Sequence, residues 1–466
     1  MISPPASSIS QVLNPGSTMA HKRSNTAAAE RPAARMRSLS LKVLQITLSK
    51  HLHAHVFSNL KNEFLEECKR GSLGKANDLT TPYGITKDLP MKLSFKKYPF
   101  WISLLFCLLN LELIGSSNSL LFIGTNGKGA EGIYRTHFNK SNGRTTAPIL
   151  AAKIDSPNFL TRHPIKPIIY AVAKWEKGAG VVGYQFDENG NLDEFTRLGC
   201  PDGLGCHLAV HPSGQFLLTA QYGGGSVACF SLNPSGELLD VHVYPHAGGS
   251  GVVPSRQKGP HPHWCGFSPC GKFALVPDLG LDQIVIYRIK HNPPELTPHG
   301  KIDSLPGGGP RHMKFSKDGK YIYLLDELSL VIETFLWEPT QGLASRISSI
   351  HTLTEQEKME ESFNSAAEIR VHPSGQWVYS SNRGHDSISV FDAGSNGLLQ
   401  NIQKQPVRGA FPRNFTLNQK GTWLVAAGQD SNTVSSHRIN QETGKLTYQR
   451  GSIFNVPNPT CLLFIE

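Results

Sequence analysis

The segment GGGPRHMKFSKDGKYIYLLDE, residues Gly307–Glu327, predicts a β-hairpin. Residues 313–316 and 321–325 are short runs rich in aromatic and branched side chains, with apolar and polar positions alternating. Between them stands Lys317–Gly319, whose Asp-Gly pair is typical of a tight turn. The two strands should therefore pair antiparallel and bring the ends of the segment together.

The two ends of this hairpin carry ionisable side chains of opposite sign. Arg311 and His312 come just before the first predicted strand, and Asp326 and Glu327 come just after the second. Because a hairpin returns the chain to its starting point, we expect all four side chains at the same end of the sheet. A purely structural hairpin rarely needs such a group, so this end is a candidate site.

The same pattern recurs along the chain, which indicates a repeat fold. Each copy holds a short strand, a turn that ends in glycine, a second strand, a polar corner and a third strand. The five clear copies begin at His207, His263, His312, Glu368 and Asn414. Their turn glycines are Gly214, Gly271, Gly319, Gly375 and Gly421. A weaker sixth copy spans Asn158–Phe186, where Pro167 replaces the turn glycine.

A seventh copy is predicted from the two ends of this region. The run LLFIGTNGKGAEGIYRTHF, which starts at Leu120, would lie beside TCLLFIE at the C-terminus. Repeats of roughly 40–55 residues with four short strands are the signature of β-propeller blades, and closure by both termini leaves no free sheet edge. We therefore predict an all-β, seven-bladed β-propeller of four-stranded blades over residues 120–466. An array of β-sandwiches is the alternative, although it would not repeat so regularly.

The first 90 residues differ in composition from the repeats. They are rich in Ser, Ala, Pro, Lys and Arg, and Glu30 is the only acid before Glu63. Such a composition buries too little apolar area to fold alone, so we predict a largely disordered N-terminal extension over 1–90. Patchy periodicity over Val43–Arg70 predicts at most a marginal helix. The acid-poor start also fits an organelle transit peptide, an alternative that we do not favour.

Residues 91–119 have the three-part layout of a secretory signal peptide. A basic stretch MKLSFKK starts at Met91, an apolar run follows, and GSSNS supplies small residues before the first strand. The run Phe100–Leu109 is too short to span a bilayer comfortably, so a cleaved signal is favoured over a membrane anchor or a buried helix. Met91 would then be the true start, residues 1–90 would be spurious, and the protein would be exported or periplasmic. Otherwise it would be cytoplasmic.

The formal net charge of +10 does not predict nucleic-acid binding. Much of the excess lies in the N-terminal segment, and the repeats contain no Lys/Arg stripe with interleaved aromatic residues. We expect no nucleic acid as a partner and no stable membrane span in the mature form. The repeats contain six cysteines but no C-x-x-C pair. Cys200 with Cys206, and Cys265 with Cys270, would form disulfides after export, or would be buried thiols in a reducing compartment.

One mouth of the propeller is predicted to hold the functional site. Each first strand starts there and each second strand ends there, whereas the hairpin turns lie at the other mouth. The turns repeat similar residues, such as HPSG, SPCG, SKDG and NQKG, but the first mouth carries different groups in every blade. Repetition of structure alone predicts similar residues at both mouths, so the varied mouth is the candidate binding site. Its polar groups are His207, Gln221, Tyr222, His261, His263, Asp278, Arg311, His312, Glu327, Glu368, Asn382, Arg383, Arg413 and Gln429.

Simple structural roles compete with this interpretation. His207 is equally well explained by a bond to local backbone, and Arg311 with Glu327 by an ion pair at a blade corner. His261 and His263 have metal-like spacing but no evident third ligand, so we predict no metal and no cofactor. Two arginines, a glutamate and a histidine at one mouth predict an anionic ligand instead, because guanidinium groups suit carboxylate and phosphate oxygens.

Five segments resemble the lactonase family of seven-bladed β-propellers. They are RQKGPHPHW, PDLGLDQIVIYRI, GGGPRHMKFSKDGKYIYLLDEL, AEIRVHPSGQWVYSSNRGHDSISVF and FPRNFTLNQKGTWLVAAGQDSNTV. This family includes the cycloisomerase-like 6-phosphogluconolactonases and the 3-carboxy-cis,cis-muconate lactonising enzymes. The resemblance covers about residues 120–466 and does not cover 1–119. Two departures are Asp326, where many relatives have Asn, and Gln221, where Asn is usual.

The resemblance implies a hydrolase that opens a small anionic sugar-acid lactone, as the 6-phosphogluconolactonases of the pentose phosphate pathway do. The implied catalytic residues are His263, Arg311, Glu327 and Arg383. As a hypothesis, His263 is the general base for water, the two arginines hold the anionic group and offset the oxyanion, and Glu327 orients a partner or donates a proton. We predict further contacts to substrate from His207, His261, His312, Glu368, Asn382 and Arg413.

Two other functions remain open at this point. A muconate-type cycloisomerase would use the same anion clamp and proton shuttle to close a lactone ring rather than open it. A non-catalytic propeller would present its rim to a protein partner, but the rim lacks an aromatic-rich exposed patch.

Overall fold

The computed structural model describes residues 118–466, in which twenty-nine strands and one four-residue helix follow each other along the chain. All of these strands belong to seven antiparallel sheets. The first sheet contains β1 (Asn118–Thr125), β2 (Gly132–Asn139) and β3 (Ile149–Lys153). The second contains β4 (Asp155–Arg162), β5 (Ile168–Trp175), β6 (Gly178–Phe186) and β7 (Leu192–Gly199).

The next three sheets repeat this arrangement with short strands at the inner edge. The third contains β8 (His207–Val210), β9 (Phe216–Gln221), β10 (Ser226–Leu232) and β11 (Leu238–Pro245). The fourth contains β12 (Gly266–Phe267), β13 (Phe273–Asp278), β14 (Gln283–His291) and β15 (Pro294–Asp303). The fifth contains β16 (Pro310–Phe315), β17 (Tyr321–Asp326), β18 (Val331–Glu338) and β19 (Leu343–His351), and the helix α1 (Glu355–Lys358) follows it.

The last two sheets complete the ring. The sixth contains β20 (Ser365–Val371), β21 (Trp377–Arg383), β22 (Ser387–Ala393) and β23 (Leu399–Pro406). The seventh contains β24 (Pro412–Leu417), β25 (Trp423–Gly428), β26 (Thr433–Ile439) and β27 (Leu446–Tyr448), with β28 (Phe454–Asn455) also paired to β26. The final strand β29 (Pro459–Ile465) returns to the first sheet.

The hairpin predicted from residues 307–327 is confirmed. Strand β16 pairs antiparallel with β17, and the register sets Pro310 opposite Asp326 and His312 opposite Leu325. The first strand starts earlier than we predicted, so Arg311 lies inside it rather than before it. An irregularity between Pro310 and His312 shifts the register there, and such β-bulges re-aim side chains near functional sites.

Closure of the ring by both ends of the described chain is confirmed. Strand β29 pairs antiparallel with β1, from Leu120 opposite Ile465 to Gly124 opposite Cys461. The inner strands of neighbouring sheets also contact each other around the ring. Contacts run from β4 to β8 and from β8 to β12, then from β13 to β16, and from β16 through β20 and β24 to β29 and back to β4. The protein is therefore a seven-bladed β-propeller of four-stranded blades, and the β-sandwich alternative is wrong.

The predicted turn glycines all adopt a left-handed backbone conformation. Gly214, Gly271, Gly319, Gly375 and Gly421 have φ between 66° and 85°, a region in which a side chain is strained. Gly421 is also crowded, because a Cβ atom there would lie 2.2 Å from Nε2 of His372. The repeated glycine is thus required both by the turn and by contact with the preceding blade.

The apolar core lies between neighbouring blades. One cluster joins Leu275 and Ile286 of the fourth blade to Met313 and Leu324 of the fifth, and similar clusters fill the other interfaces. Full burial of each such side chain stabilises the fold by roughly 1.5–3 kcal/mol. The side chain of Trp264 lies over Gly266, where a Cβ atom would be only 2.0 Å from the indole.

Several predictions fall on residues that the structure does not describe. The extension 1–90, its marginal helix and nearly all of the candidate signal segment 91–119 lie outside residues 118–466, although Asn118 and Ser119 already belong to β1. Within the described range, no helix has the length and hydropathy of a membrane span. The six cysteines in this range are all unpaired, so neither Cys200 with Cys206 nor Cys265 with Cys270 forms a disulfide.

Candidate active site

A cavity of about 440 Å³ opens at the mouth where the blades carry different polar groups. Strand β21 ends there with Arg383, Glu327 directly follows β17, and Arg413 lies at the start of β24. Below this cavity the channel narrows to a void of about 10 Å³, room for about one water molecule. The charged and polar side chains that line the cavity are Asn158, Cys206, Tyr222, Arg256, His263, Glu327, Arg383 and Arg413.

Glu327 is the centre of an ion-pair network with three arginines. Its Oε2 atom is 2.7 Å from Nε of Arg311 and 3.2 Å from Nη2 of Arg383. Its Oε1 atom is 2.7 Å from Nη2 of Arg256. Both carboxylate oxygens are therefore occupied by guanidinium groups, which is the arrangement expected of strong charge-assisted hydrogen bonds.

Two of these arginines are also tied to the backbone of the sixth blade. Arg311 donates from Nη1 to the carbonyl of Ala367, and Arg383 donates from Nη2 to the carbonyl of Ala366 at 2.8 Å. These carbonyls are available because the register of β20 shifts between Ala366 and Ile369. A bulge leaves backbone groups outside the ladder, so this irregularity fixes the two guanidinium groups in place.

The network keeps Glu327 ionised. Burial alone would raise the pKa of this carboxyl, but the charges of Arg383 and Arg311 hold the pKa well below its usual range. Burial lowers the pKa of Arg383 to about 9, which leaves this guanidinium charged at neutral pH. Because Glu327 stays a carboxylate and contacts the arginines directly, this geometry favours the predicted orienting role over proton donation.

His263 lies on the floor of the cavity as a neutral imidazole. Burial first, and then the positive charge of Arg311, lower its pKa well below the usual value. Its backbone N–H donates to the carbonyl of Pro277 at 3.0 Å, and the ring of Tyr222 packs against its imidazole in a T-shaped arrangement at 5.4 Å between centroids. Among residues 118–466, its Nε2 atom has no hydrogen-bond partner, so this nitrogen is available to a ligand or to water.

Arg413 is the unpaired cation of the site. Its side chain lines both the cavity and the void beneath it. Within the described part of the chain, its guanidinium has neither a hydrogen bond nor an ion pair to another residue. Burial and the charge of Arg311 lower its pKa to about 10, so it remains protonated at neutral pH. A partly buried guanidinium without a protein partner is suited to bind an anion, because its charged hydrogen-bond donors remain free.

His312 and Glu368 lie one layer below the cavity. Nδ1 of His312 is 3.2 Å from Oε1 of Glu368, and Oε2 of Glu368 accepts a hydrogen bond from Asn414 at 2.7 Å. Arg370 is 3.4 Å from the same carboxylate oxygen. His312 lines the narrow void and Glu368 lines neither space. His312 and Glu368, which we predicted as substrate contacts, therefore lie beneath the cavity and pack under its floor.

The remaining predicted contacts, His207, His261 and Asn382, also lie outside the cavity lining. His207 accepts a hydrogen bond at Nδ1 from the backbone of Cys265 in the next blade, rather than from the local backbone that was the alternative for this residue. The ring of His261 stacks on Tyr222 at 4.6 Å between centroids. Asn382 donates to Ser387 and Ser389 inside its own blade. Their geometry assigns these side chains to the framework around the site.

Known proteins share this fold and sequence pattern. The sequence profile of the family described as "Lactonase, 7-bladed beta-propeller" matches residues 120–464. The chain belongs to the lactonase family of seven-bladed β-propellers. This confirms the family predicted from the five matching segments.

Several members of the lactonase family resemble this chain over nearly their whole length. The 6-phosphogluconolactonase of Bacillus subtilis is 32% identical over 349 residues, which is 74% of this chain and 98% of the relative. The 6-phosphogluconolactonase of Formosa agariphila is 29% identical and matches 70% of this chain and 94% of the relative. The solved structure of the periplasmic gluconolactonase of Pseudomonas aeruginosa is 25% identical, with a TM-score of 0.69, and the match covers 75% of this chain and 99% of that protein.

Sequence reasoning missed three polar residues that line the cavity of this lactonase-family protein, namely Asn158, Cys206 and Arg256. Cys206 was considered only as a disulfide candidate, yet its Sγ atom is 3.9 Å from Nδ1 of His263. Burial raises the pKa of this thiol to about 11, so it is protonated at neutral pH. Arg256 was seen only as part of a family-like segment. The length of its loop, 246–265, was the available signal, because loops beyond about 15 residues are often functional.

The cavity can bind an anion and move a proton. Three arginines and one glutamate line it, and Arg311 adds a fourth guanidinium from below. The charges therefore remain positive after Glu327 is counted. Over residues 118–466, no group of three His, Cys, Asp or Glu side chains is placed to hold a metal ion.

Proposed function

We propose that this lactonase-family protein hydrolyses a sugar δ-lactone that carries an anionic group, with 6-phosphogluconolactone as the best-supported substrate. The observation that carries the proposal is the neutral imidazole of His263 on the same cavity floor as the unpaired guanidinium of Arg413. A base beside an unpaired cation suits attack of water on a carbonyl whose oxygen becomes negative. The names of the Bacillus subtilis and Formosa agariphila relatives support this substrate.

In the proposed reaction, water adds to the lactone carbonyl and the ring ester bond then breaks. His263 takes a proton from the water at Nε2 while the oxygen bonds to the carbonyl carbon. The electron pair of the carbonyl moves to its oxygen, and this oxyanion is stabilised by Arg413 together with the fixed guanidinium groups of Arg311 and Arg383. When the intermediate collapses, the bond to the ring oxygen breaks and the imidazolium returns the proton to that oxygen.

Glu327 holds the cations in position in this scheme. It forms ion pairs with Arg311 and Arg383 and is not itself a proton donor, since its pKa lies well below neutral pH. Donors that are fixed before the reaction need no reorganisation when charge develops, and each is typically worth a factor of about 10² to 10³ in kcat. The scheme needs neither a covalent intermediate nor a metal.

The experiment is a lactone hydrolysis assay on the full-length protein and on Arg413→Met. Formation of 6-phosphogluconate is followed in a coupled assay, and the spontaneous rate is subtracted. Gluconolactone and 3-carboxy-cis,cis-muconate are tested in parallel, because they represent a neutral sugar lactone and the substrate of the cycloisomerase alternative.

We expect catalysed opening of 6-phosphogluconolactone and a loss of about 10²-fold or more in kcat/KM for Arg413→Met. An unchanged melting temperature would show that the variant is folded. Turnover of the muconate with no lactone hydrolysis would overturn the proposal in favour of ring closure. Absence of any turnover in the folded wild-type protein would overturn it in favour of a binding function.

A further inference from the structure

We infer that Arg256 is the specificity residue that recognises the anionic group of the substrate at the rim of the cavity, apart from the reacting carbonyl. This inference rests on the proposed function and identifies the chemistry of its substrate, which is a lactone that bears a phosphate or carboxylate. Arg256 lies outside every repeat, on the loop 246–265 between β11 and β12. It lines the cavity together with His263 and Arg413.

The loop that carries Arg256 is held firmly by the next residue. Gln257 is fully buried, and its Nε2 atom donates to Asp282 at 2.5 Å and to the carbonyl of Leu279 at 2.9 Å. Its Oε1 atom accepts a hydrogen bond from the backbone of Val253 at 2.9 Å. Arg256 is therefore fixed at the rim before a ligand arrives, which lowers the entropy that binding must overcome.

Arg256 is attached to the site through one nitrogen only. Its Nη2 atom donates to Glu327 at 2.7 Å and to the hydroxyl of Tyr222 at 3.2 Å. Its Nε and Nη1 atoms have no hydrogen-bond partner among residues 118–466. These atoms carry three N–H donors, which remain for the oxygens of a phosphate or carboxylate.

The position of Arg256 separates it from the reacting end of the cavity. Tyr222 contacts both groups, because its ring packs against His263 at 5.4 Å between centroids and its hydroxyl accepts a hydrogen bond from Arg256. Arg413 lies deeper, where the cavity meets the narrow void, whereas about a third of the Arg256 side chain is exposed. A substrate that reaches from His263 to Arg256 would place its carbonyl on the floor and its anionic group at the mouth.

The chain offers a matched control for this arginine. Arg346 forms an ion pair with buried Glu333, and the two side chains are 37% and 0% exposed. The corresponding values for Arg256 and Glu327 are 32% and 6%. Both arginines thus cap a buried carboxylate from a half-exposed position, but Arg346 is not in the cavity lining. A purely structural role predicts the same consequences for both substitutions.

The test compares Arg256→Met, Arg256→Lys and Arg346→Met on 6-phosphogluconolactone, a carboxylate-bearing sugar lactone and neutral gluconolactone. The measured quantity is the ratio of kcat/KM for each charged lactone to that for the neutral one. We expect Arg256→Met to lower this ratio by about 10- to 100-fold through KM, because a charge-assisted hydrogen bond is lost. Arg256→Lys should restore part of this ratio, and Arg346→Met should leave the ratio unchanged. The charged lactone with the larger loss identifies the anionic group as phosphate or carboxylate.

A ratio that stays constant while kcat falls on all lactones would overturn the inference, since Arg256 would then act only through Glu327. Calorimetric binding of 6-phosphogluconate provides a readout that does not depend on turnover. Weaker binding to Arg256→Met than to Arg346→Met supports the anion site even if the wild-type protein opens no lactone, in which case only the proposed function fails. Equal binding to both variants overturns the inference.

Discussion

The two mouths of the propeller are built from the same seven inner strand pairs, six of them hairpins and the seventh the pair of β29 with β1, but they differ in which residues repeat. At the turn mouth, Nδ1 of His211 contacts Ser213 Oγ at 2.8 Å and its Nε2 contacts the carbonyl of Gly271 in the next blade. His372 has the same contacts three blades later, with Ser374 and with Gly421. At the cavity mouth, no two blades contribute the same set of side chains. The side chains that repeat from blade to blade thus have a structural role, and those that differ between blades form the candidate active site.

The two mouths also differ in how well their polar groups are satisfied. The imidazoles of His211 and His372 have a partner at each ring nitrogen. At the cavity mouth, Nε2 of His263 and the guanidinium of Arg413 have no partner within residues 118–466. Because no protein group satisfies these atoms, their hydrogen-bonding capacity remains free for a ligand. Four predictions test this contrast.

The largest expected effect separates one histidine from each mouth. His263→Gln should lower kcat/KM for the lactone by about 10²- to 10⁴-fold, because the amide cannot accept the proton from water. The melting temperature should change little, since the ring of His263 makes no strong hydrogen bond inside the protein. Lactone hydrolysis and thermal unfolding measure the two quantities.

The control for this prediction is His211→Gln at the turn mouth. It removes a contact between two blades, so it should lower the melting temperature and leave kcat/KM near the wild-type value. If both histidine variants lost activity in proportion to their stability, the cavity mouth would have no special chemical role.

The second prediction concerns the carboxylate that holds the arginines. Glu327→Gln leaves Arg256, Arg311 and Arg383 without their counter-charge, so kcat should fall by about 10²-fold or more through misplaced guanidinium groups. Removal of one partner from a buried ion pair should also lower the free energy of unfolding by about 3–5 kcal/mol. Hydrolysis assays and urea denaturation check the two effects.

Glu333→Gln is the comparison, because Glu333 is equally buried and pairs with Arg346 away from the cavity. It should reduce stability but keep kcat. Equal losses of kcat in the two variants would contradict the role assigned to Glu327, since distance from the cavity would then not matter.

The third prediction is a separation of activity from stability as the pH falls. Burial lowers the pKa of His263, His207 and His312 well below 6.5 in the folded protein. At a pH just below 6.5 these three side chains are therefore still neutral in the folded protein, whereas they are protonated in the unfolded chain. The unfolded state then binds more protons, and each group removes up to about 1.4 kcal/mol of stability per pH unit below 6.5. Above that pH their contribution is complete.

Activity should respond differently in the same window. His263 remains a neutral base between pH 7 and 6, so kcat/KM for lactone hydrolysis should stay nearly constant while the melting temperature begins to fall. In the variant His263→Gln, about one proton fewer should be taken up on unfolding, so the free energy of unfolding should depend less steeply on pH. A tenfold fall in kcat/KM per pH unit that starts at pH 6.5 would show that His263 titrates normally and is not buried as described.

The scaffold could be predicted from sequence because its signals are local and repeated. The hairpin of residues 307–327, the turn glycines and the closure of Leu120 against the C-terminus each depend on pattern and turn chemistry, and all are confirmed. The same logic placed His263, Arg311, Glu327 and Arg383 at one mouth, where the structure brings them together.

The finer geometry of the site could not be predicted because it depends on irregular backbone and on contacts distant in sequence. The bulge at the start of β16 decides whether Arg311 or His312 faces Glu327, and no residue pattern in the sequence predicts this bulge. The position of Arg256 depends on the bond between Gln257 and Asp282, which are far apart from each other in the chain. Strand alternation alone could not show that His312 and Glu368 lie below the cavity.

The smallest expected effect tests whether the turn mouth is truly repetitive. Ser213→Ala and Ser374→Ala each remove a hydroxyl that contacts a histidine Nδ1 at 2.8 Å and accepts a backbone N–H two residues later. Each substitution should lower the free energy of unfolding by about 0.5–1.5 kcal/mol and leave lactone hydrolysis unchanged. Denaturant unfolding measures the cost.

Because the two serines lie in different blades with the same hydrogen bonds, their effects should be equal, and the double variant should show their sum to within about 0.5 kcal/mol. Unequal costs would mean that neighbouring blades constrain each turn differently, despite identical HPSG sequences. A change in kcat in either single variant would mean that the turn mouth is coupled to the cavity through the blade. In that case the repeated histidines would contribute to catalysis, and repetition of a residue would no longer show that its role is only structural.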